Sequence, residues 1–242
     1  MKSLVSGLVV SLFLALPAAA DELRGTGDLG IVVERASGSV QVLDTTHRTA
    51  LCRVEGLGDL SHASAVYSRD ERYAYVFGRD GGLTKVDILT CSIAKRIVQG
   101  GNAIGGAISD DGTLVAVSNY EPGGVKVFDA ETLDLVADIP ATFGKANAPS
   151  KTVGLVDAPG RRFVFSLWDG GETWIADFSG GSEPKITKIP DVGINPYDGL
   201  VTGDGRHYIT GLFGEDGLTH IDLWADAPKG ERILDHYGKG EE

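Results

Sequence analysis

The sequence predicts an all-β fold, a β-propeller, and three observations support this prediction. A short apolar strand that ends in Asp recurs every forty-odd residues, and a polar turn with a second strand recurs in phase with it. Gly is also abundant, at 34 of 242 residues. Periods of this length built from short antiparallel strands are typical of propeller blades. The glycines favour tight turns and disfavour long helices.

The strand that ends in Asp occurs five times. Its copies are residues 39–44, 83–87, 125–129, 173–177 and 218–222, with Asp residues spaced 43, 42, 48 and 45 apart. Because the Asp recurs in register, we expect it to cap a turn at the strand end. Asp129 is also a secondary catalytic candidate, since a dehydrogenation needs a proton acceptor.

The strand before each copy follows a polar turn. These turns occupy residues 68–73, 109–114, 157–163 and 202–208, and three of them contain Asp-Gly or Pro-Gly. A Gly-rich turn then leads into the Asp-ended strand, so that each repeat supplies about four short strands, which is one blade. The blades begin near Gly30, Tyr73, Val115, Val164 and Ile209. We therefore expect about five blades in residues 21–242. Because the last residues offer no closing strand, we expect a propeller truncated at its C-terminus.

Residues 1–20 are predicted to be a secretory signal peptide. Lys2 precedes an apolar run over residues 4–16, and the small residues at 17–20 form a cleavage signal. The apolar run is too short to span a bilayer comfortably, and no later segment is long and apolar enough to do so. We therefore expect an exported protein without a membrane span after signal cleavage.

The charge and the motifs exclude several classes of function. A formal net charge of -12 makes nucleic acid a poor partner, because phosphate binding needs a basic surface. The sequence motifs of dinucleotide-binding, P-loop, serine hydrolase and zinc protease sites are all absent. Cys52 and Cys91 could form a disulfide in an exported protein. Their positions in the repeats do not match, however, which favours two half-buried thiols.

The repeat also indicates which residues surround a central channel. The positions eleven residues before the second strands are His62, Ala103, Thr152 and Tyr197, and we expect them at one level of the channel mouth. His62 is the only imidazole among them. Its side chain could ligate a metal axially or transfer a proton near neutral pH. A histidine that is hydrogen-bonded within its own blade is the structural alternative.

Two arginines occupy corresponding Gly-rich turns. Arg35 lies in the turn at 34–38 and Arg79 in the turn at 78–82. Guanidinium groups are well shaped for carboxylates, so the two side chains could converge on an anionic ligand. Solvated turn charges are the alternative.

These residues carry a family resemblance. Residues 25–30, 35–38 and 78–80 resemble the heme d1 domain of cytochrome cd1 nitrite reductase, and residues 127–133 are similar as well. Residues 27–38 most resemble the NirF proteins of heme d1 biosynthesis. The resemblance implies an eight-bladed propeller, of which residues 21–242 hold a part. No Cys-x-x-Cys-His motif is present, which argues against a cytochrome c portion.

The resemblance also implies a function. It implies a periplasmic protein that binds heme d1 or its precursor in the channel and acts late in assembling this cofactor for nitrite reductase. His62 matches a histidine that the d1 domain places over the heme, and Arg35 and Arg79 match the type of residue that meets heme carboxylates there. Trp168 could stack on the macrocycle, although a structural Trp is the alternative. Other heme d1 assembly proteins and the reductase are the implied partners.

Two questions stay open at this point. The sequence does not decide between a carrier and an oxidoreductase that dehydrogenates a tetrapyrrole side chain. The reductase carries a second distal histidine in a region that here contains Trp168 and two glycines, so nitrite reduction is not expected. The alternative function is a non-catalytic periplasmic propeller of the YVTN type that binds a protein or another ligand.

Overall fold

A computed structural model describes residues 25–238, and in this range the chain forms strands and turns without a helix. The first sheet contains β1 (Leu29–Glu34), β2 (Ser39–Asp44) and β3 (Thr49–Val54). The second contains β4 (Ser64–Tyr67), β5 (Tyr73–Phe77), β6 (Gly82–Asp87) and β7 (Ser92–Val98). The third contains β8 (Asn102–Ile108), β9 (Leu114–Glu121), β10 (Val125–Asp129) and β11 (Leu135–Ile139).

Two further sheets and a ribbon follow. The ribbon pairs β12 (Thr142–Phe143) with β13 (Ala148–Pro149). The fourth sheet contains β14 (Thr152–Ala158), β15 (Arg162–Leu167), β16 (Glu172–Asp177) and β17 (Lys185–Ile189). The fifth contains β18 (Pro196–Val201), β19 (His207–Leu212), β20 (Leu218–Asp222) and β21 (Gly230–Ile233). The ribbon accounts for the longest repeat spacing, because it adds residues between the third and fourth sheets.

Each sheet is an antiparallel meander, as the repeat predicted. In the second to fifth sheets the first strands contact one another, so that β4, β8, β14 and β18 surround a common axis. The Asp-ended strands are the third strands of these sheets. The first sheet has only three strands among the described residues, and its innermost strand is the missing one. Its Asp-ended strand β2 therefore corresponds to the third strand of the other blades. The arrangement is that of propeller blades, which confirms the predicted fold class.

The core lies between the faces of neighbouring sheets. Phe163, Phe165 and Trp174 of the fourth sheet pack with Val125 and Val127 of the third. The second and third strands of a blade are covered on both faces, and every residue of β6 is buried. This explains why second strands such as β5 and the first half of β9 are continuously apolar in sequence, because neither face meets solvent.

The repeated Asp residues cap turns, as predicted. The Asp87 carboxylate accepts hydrogen bonds from the backbone N–H groups of Leu89 and Thr90, at 3.0 and 3.1 Å. Asp44, Asp129, Asp177 and Asp222 accept equivalent bonds from residues two or three positions further on. The periodic Asp is therefore a structural feature of the blade.

The expectation of two free thiols is wrong. Cys52 on β3 and Cys91 in the turn after β6 form a disulfide, with Cα atoms 6.3 Å apart. The two residues lie in neighbouring blades, and a bond between blades does not require that they occupy the same position of the repeat. The bond joins the first sheet to the second.

The predicted signal peptide lies outside the described residues. In the range 25–238, no helix has the length and apolar character needed to span a bilayer.

Candidate functional site

A cavity of about 330 Å³ lies between the inner strands of four blades. It opens where these strands begin, and we call this the His62 end of the axis. The lining comes from β4, β8, β14 and β18, from His62 just before β4 and from Ser118 of β9. The cavity therefore lies where the sequence predicted a channel mouth.

Bulges in the inner strands shape this cavity. The register of β8 shifts at Ile104, that of β14 at Gly154 and Leu155, and that of β18 at Tyr197 and Asp198. All five of these residues line the cavity. A bulge leaves residues unpaired in the ladder and re-aims their side chains, and bulges are frequent beside active sites. The bulged residues of β8, β14 and β18 thus contribute to the lining, together with residues that stay paired in the ladder.

Glycine is required at two of these positions by close packing. Gly154 has a φ of +59°, and a Cβ there would meet the carbonyl oxygen of Tyr197. A Cβ at Gly199 would meet the Tyr208 hydroxyl. The Tyr208 hydroxyl instead donates to the Gly154 carbonyl oxygen at 3.0 Å, which fixes β14 against β19. Tyr208 of β19 therefore packs against the bulged backbone and fixes its position.

His62 lines the cavity and has an unsatisfied ring nitrogen. Its Nδ1 is buried and has no hydrogen-bond partner among the described residues. A buried polar atom without a partner costs about 1–3 kcal/mol. The structural alternative, a histidine hydrogen-bonded within its blade, is not supported at this atom. A side chain held at this cost in a cavity indicates a ligand-binding role.

An aromatic cluster surrounds Tyr197, which lines the cavity. Tyr197 contacts Trp168 edge-on, with ring centroids 5.2 Å apart, and Phe213 lies 5.1 Å from Trp168 and 6.0 Å from Tyr197. Phe213 is 68 % exposed. The structure thus brings together two residues predicted from the sequence. Phe213 was missed, because the turn after β19 carries no motif.

The expected level of four residues holds only in part. His62 and Tyr197 line the cavity, but Ala103 and Thr152 are fully buried within the sheets. The Thr152 hydroxyl donates to the Gly124 carbonyl oxygen at 2.6 Å. The cavity is instead lined by the residues that follow them, from Ile104 in β8 and from Val153 in β14, where the register of each strand shifts.

Asp129 lies away from this cavity. It lines a separate cavity at the opposite end of the blades, with Arg69, Asp111 and Glu131. The pKa of Asp129 is lowered, chiefly because its carboxylate accepts a hydrogen bond from the backbone N–H of Thr132. The carboxylate that does line the His62 cavity is Asp198. The structure therefore does not bring Asp129 together with His62.

Arg35 and Arg79 lie in exposed turns between the second and third strands, at the His62 end of their blades. Within residues 25–238 neither guanidinium forms a hydrogen bond or an ion pair with another side chain. Neither lines the cavity itself. The Arg79 backbone N–H donates to the Asp59 carbonyl oxygen at 2.8 Å, which places its turn beside the segment that carries His62.

Comparisons with known proteins agree with this geometry. Residues 24–242 match the cytochrome D1 heme domain. The chain belongs to this family. It is 65 % identical over 220 residues to protein NirF of Pseudomonas aeruginosa and 61 % identical over 236 residues to protein NirF of Stutzerimonas stutzeri. These matches cover 90 % and 97 % of this chain and 56 % and 60 % of the relatives.

A solved structure has the same fold. Dihydro-heme d1 dehydrogenase NirN in complex with DHE superposes with a TM-score of 0.76 at 26 % identity, over 90 % of this chain and 46 % of NirN. The chain thus spans a little over half the length of its NirF relatives. The resemblance to NirF and to the heme d1 domain is confirmed.

The residues at the His62 end fit a tetrapyrrole of the kind that gives the cytochrome D1 heme domain its name. Imidazole is a common heme ligand, and His62 offers an unpartnered ring nitrogen. Aromatic rings suit a flat macrocycle, and two arginines that form no side-chain hydrogen bond or ion pair in the described range suit its carboxylates.

Proposed function

We propose that the chain binds heme d1 or an immediate precursor at the His62 end and acts in the late steps of heme d1 biosynthesis. The observation that carries this proposal is the buried, unpartnered Nδ1 of His62 in a cavity lined by bulged inner strands. Membership in the cytochrome D1 heme domain family and the similarity to NirF support it.

Each residue has a proposed role. His62 ligates the iron, and Trp168, Tyr197 and Phe213 contact the macrocycle. Arg35 and Arg79 neutralise its carboxylates from the rim of the cavity. When bound, the iron supplies a coordination position for the imidazole, while the protein orients the ring.

The periplasm is the proposed location. The Cys52–Cys91 disulfide supports it, because structural disulfides persist in oxidising compartments and are rare in the cytosol. The predicted signal peptide over residues 1–20 agrees with export. Other heme d1 assembly proteins and cytochrome cd1 nitrite reductase are the proposed partners that deliver or receive the tetrapyrrole.

An absorption titration with heme d1 tests the proposal. We expect a shifted Soret band for the unmodified chain and a loss of that shift in His62→Ala, with affinity lowered at least about tenfold, or about 1.4 kcal/mol. Asp129→Asn is the matched control, since its carboxylate lies in another cavity, and it should bind like the unmodified chain. Intact folding without any spectral shift would favour the YVTN-type alternative instead.

Dehydrogenation of a tetrapyrrole side chain is a second candidate function. The similarity to dihydro-heme d1 dehydrogenase favours it. The reaction converts a C–C single bond to a double bond and releases two protons and two electrons. Asp198 is the carboxylate placed to accept one proton, the second proton passes to solvent, and two equivalents of a one-electron acceptor protein must take the electrons.

Turnover of a dihydro precursor with a one-electron acceptor, followed by the change in absorption, tests this second candidate. We expect Asp198→Asn to remove turnover and leave binding intact. Binding without turnover in the unmodified chain would identify a carrier.

A further inference from the structure

The β12–β13 ribbon is an insertion between the third and fourth blades. Thr142 pairs with Pro149 and Phe143 with Ala148, and among the described residues the other sheets follow one another without such a ribbon. It ends directly before β14, and the inner strands begin at the His62 end, so the ribbon lies at that end of the axis. Since each neighbouring blade has its four strands without it, the ribbon must be explained by what it contacts.

The ribbon packs against the turn that carries Trp168. This turn joins β15 to β16, and in it Gly170 faces Phe143 of the ribbon. A Cβ at Gly170 would lie 2.8 Å from the Phe143 Cβ, so glycine is required for this close approach. Phe143 is therefore in contact with the backbone two residues after Trp168.

Hydrogen bonds fasten the same turn to the end of the ribbon. The Trp168 N–H donates to the Lys151 carbonyl oxygen at 3.0 Å. The Asp169 N–H donates to the Ser150 hydroxyl oxygen, also at 3.0 Å. The Ser150 N–H in turn donates to the Ala141 carbonyl oxygen at 2.9 Å, which closes the ribbon. The backbone of Trp168 is therefore fixed relative to the ribbon.

On its other side the turn meets the fifth blade. The Asn195 side-chain amide donates to the Trp168 carbonyl oxygen at 3.1 Å. The Trp168 ring contacts Tyr197 and Phe213, with ring centroids 5.2 and 5.1 Å away. Because Tyr197 lines the His62 cavity, a displacement of the turn would reach that cavity through a single ring contact.

The turn has room for such a displacement. A cavity of about 410 Å³ lies between the ribbon and the end of β9, and Phe143, Asp169 and Tyr120 are among the residues that line it. Loss of the Phe143 ring would enlarge this cavity beside the Trp168 turn, and the structure around an enlarged cavity relaxes at least partly into it. Phe143 is thus the side chain that keeps the turn from moving toward the ribbon and away from the fifth blade.

We propose that the ribbon is a positioning element for the aromatic cluster at the His62 end, and that Phe143 is its positioning residue. Phe143 acts through Trp168 and does not itself contact the tetrapyrrole. The consequence for binding rests on the proposed function, whereas the effect on Trp168 does not. An insertion in one connection in this way adapts a repeated fold to a ligand at one end of the axis.

Acrylamide quenching of tryptophan fluorescence tests the positioning without a ligand. The chain has three Trp residues; Trp174 is buried and Trp224 is 59 % exposed, so in a Trp224→Phe background the quencher reports on Trp168. In this background we expect Phe143→Ala to strengthen quenching and shift the emission to the red, because Trp168 gains contact with water. Phe143→Leu, which keeps a large apolar side chain, should restore most of the protection. Lys145→Ala at the exposed tip of the ribbon is the control and should change neither signal.

A double-mutant cycle with heme d1 tests the consequence for binding. Phe143→Ala should lower affinity about fivefold, the size expected of one aromatic contact. In a Trp168→Ala background the same substitution should have no further effect, because the two residues act as one unit. A residue with a merely structural role would lower affinity equally in both backgrounds. If Phe143→Ala does not fold, Gly170→Ala replaces it in both tests, since the added Cβ separates the turn from the ribbon.

The two tests fail separately. Unchanged quenching in Phe143→Ala or in its replacement Gly170→Ala would overturn the proposal, whether or not a tetrapyrrole binds. Stronger quenching with equal losses of affinity in both backgrounds would overturn the role in binding, because the ribbon would then support the fold only. If the unmodified chain does not bind heme d1, the proposed function fails, and the quenching result still decides whether the ribbon positions Trp168.

Discussion

The two ends of the propeller axis differ in how their polar groups are used. At the end opposite to His62, the side chains are paired with one another. Arg69 donates to the carbonyl oxygens of Ser109 and Ile108 and forms an ion pair with Asp157 at 2.9 Å. Arg72 pairs with Asp87 at 2.8 Å. These contacts join blades and close turns, so this end is structural.

At the His62 end several polar groups are left open, although ion pairs such as Arg96–Asp80 also lie there. The Nδ1 of His62 is buried without a partner, and within the described range neither Arg35 nor Arg79 forms a hydrogen bond or an ion pair with another side chain. The inner strands also leave their ladders here, through bulges in β8, β14 and β18. One end of the blades is therefore built for stability and the other for a ligand. The comparison predicts that substitutions at the His62 end lower ligand affinity with little loss of stability, and that substitutions at the opposite end lower stability with little loss of affinity.

The largest expected effect is on ligand binding at the His62 end, which we also call the open end. His62→Ala should lower affinity for heme d1 at least about tenfold and change the free energy of unfolding by less than about 1 kcal/mol, because it removes a buried group that lacks a partner. Urea unfolding beside the titration measures both quantities. A large loss of stability would show that His62 also stabilises the fold, and would contradict the proposed difference between the two ends.

Substitutions at the end opposite to His62, which we call the paired end, should lower stability and leave ligand affinity unchanged. Asp87→Ala should lower the free energy of unfolding by about 1–3 kcal/mol, because two backbone N–H groups and Arg72 lose their acceptor. Affinity for heme d1 should stay unchanged. Weaker binding in this variant would mean that the two ends are coupled.

Low pH should also act on the paired end. Hydrogen bonds from Arg206, followed by the Trp224 backbone, lower the pKa of Asp222 to about 2. A carboxylate with a lowered pKa contributes stability above its unfolded value near 3.8, and that contribution is lost as the pH falls toward 2. We expect the melting temperature to fall below pH 4. In Asp222→Asn, this fall should be smaller.

The smallest expected effect belongs to Phe213. This ring is 68 % exposed, so Phe213→Ala should change stability by no more than about 0.5 kcal/mol. Affinity for heme d1 should drop about threefold if the ring contacts the macrocycle. Leu135→Ala, at a 56 % exposed position in the outer strand β11, is the matched control. Equal binding by both variants would remove Phe213 from the site.

The sequence predicts the paired end better than the open end. The repeated Asp and the strands around it recur because each blade closes its turns in the same way, so periodicity reveals them. The bulges are not periodic in sequence, and they moved Ala103 and Thr152 away from the cavity. The cluster of Trp168, Tyr197 and Phe213 depends on contacts between neighbouring blades, which the repeat pattern of a single blade does not reveal. The disulfide was missed for the same reason.

A crystal structure of the chain with heme d1 tests the central claim most directly. The account predicts a ring nitrogen of His62 coordinated to the iron, with the macrocycle against Trp168 and Tyr197. A macrocycle bound at the Arg69 end, or iron at the His62 end without the imidazole as a ligand, would contradict it.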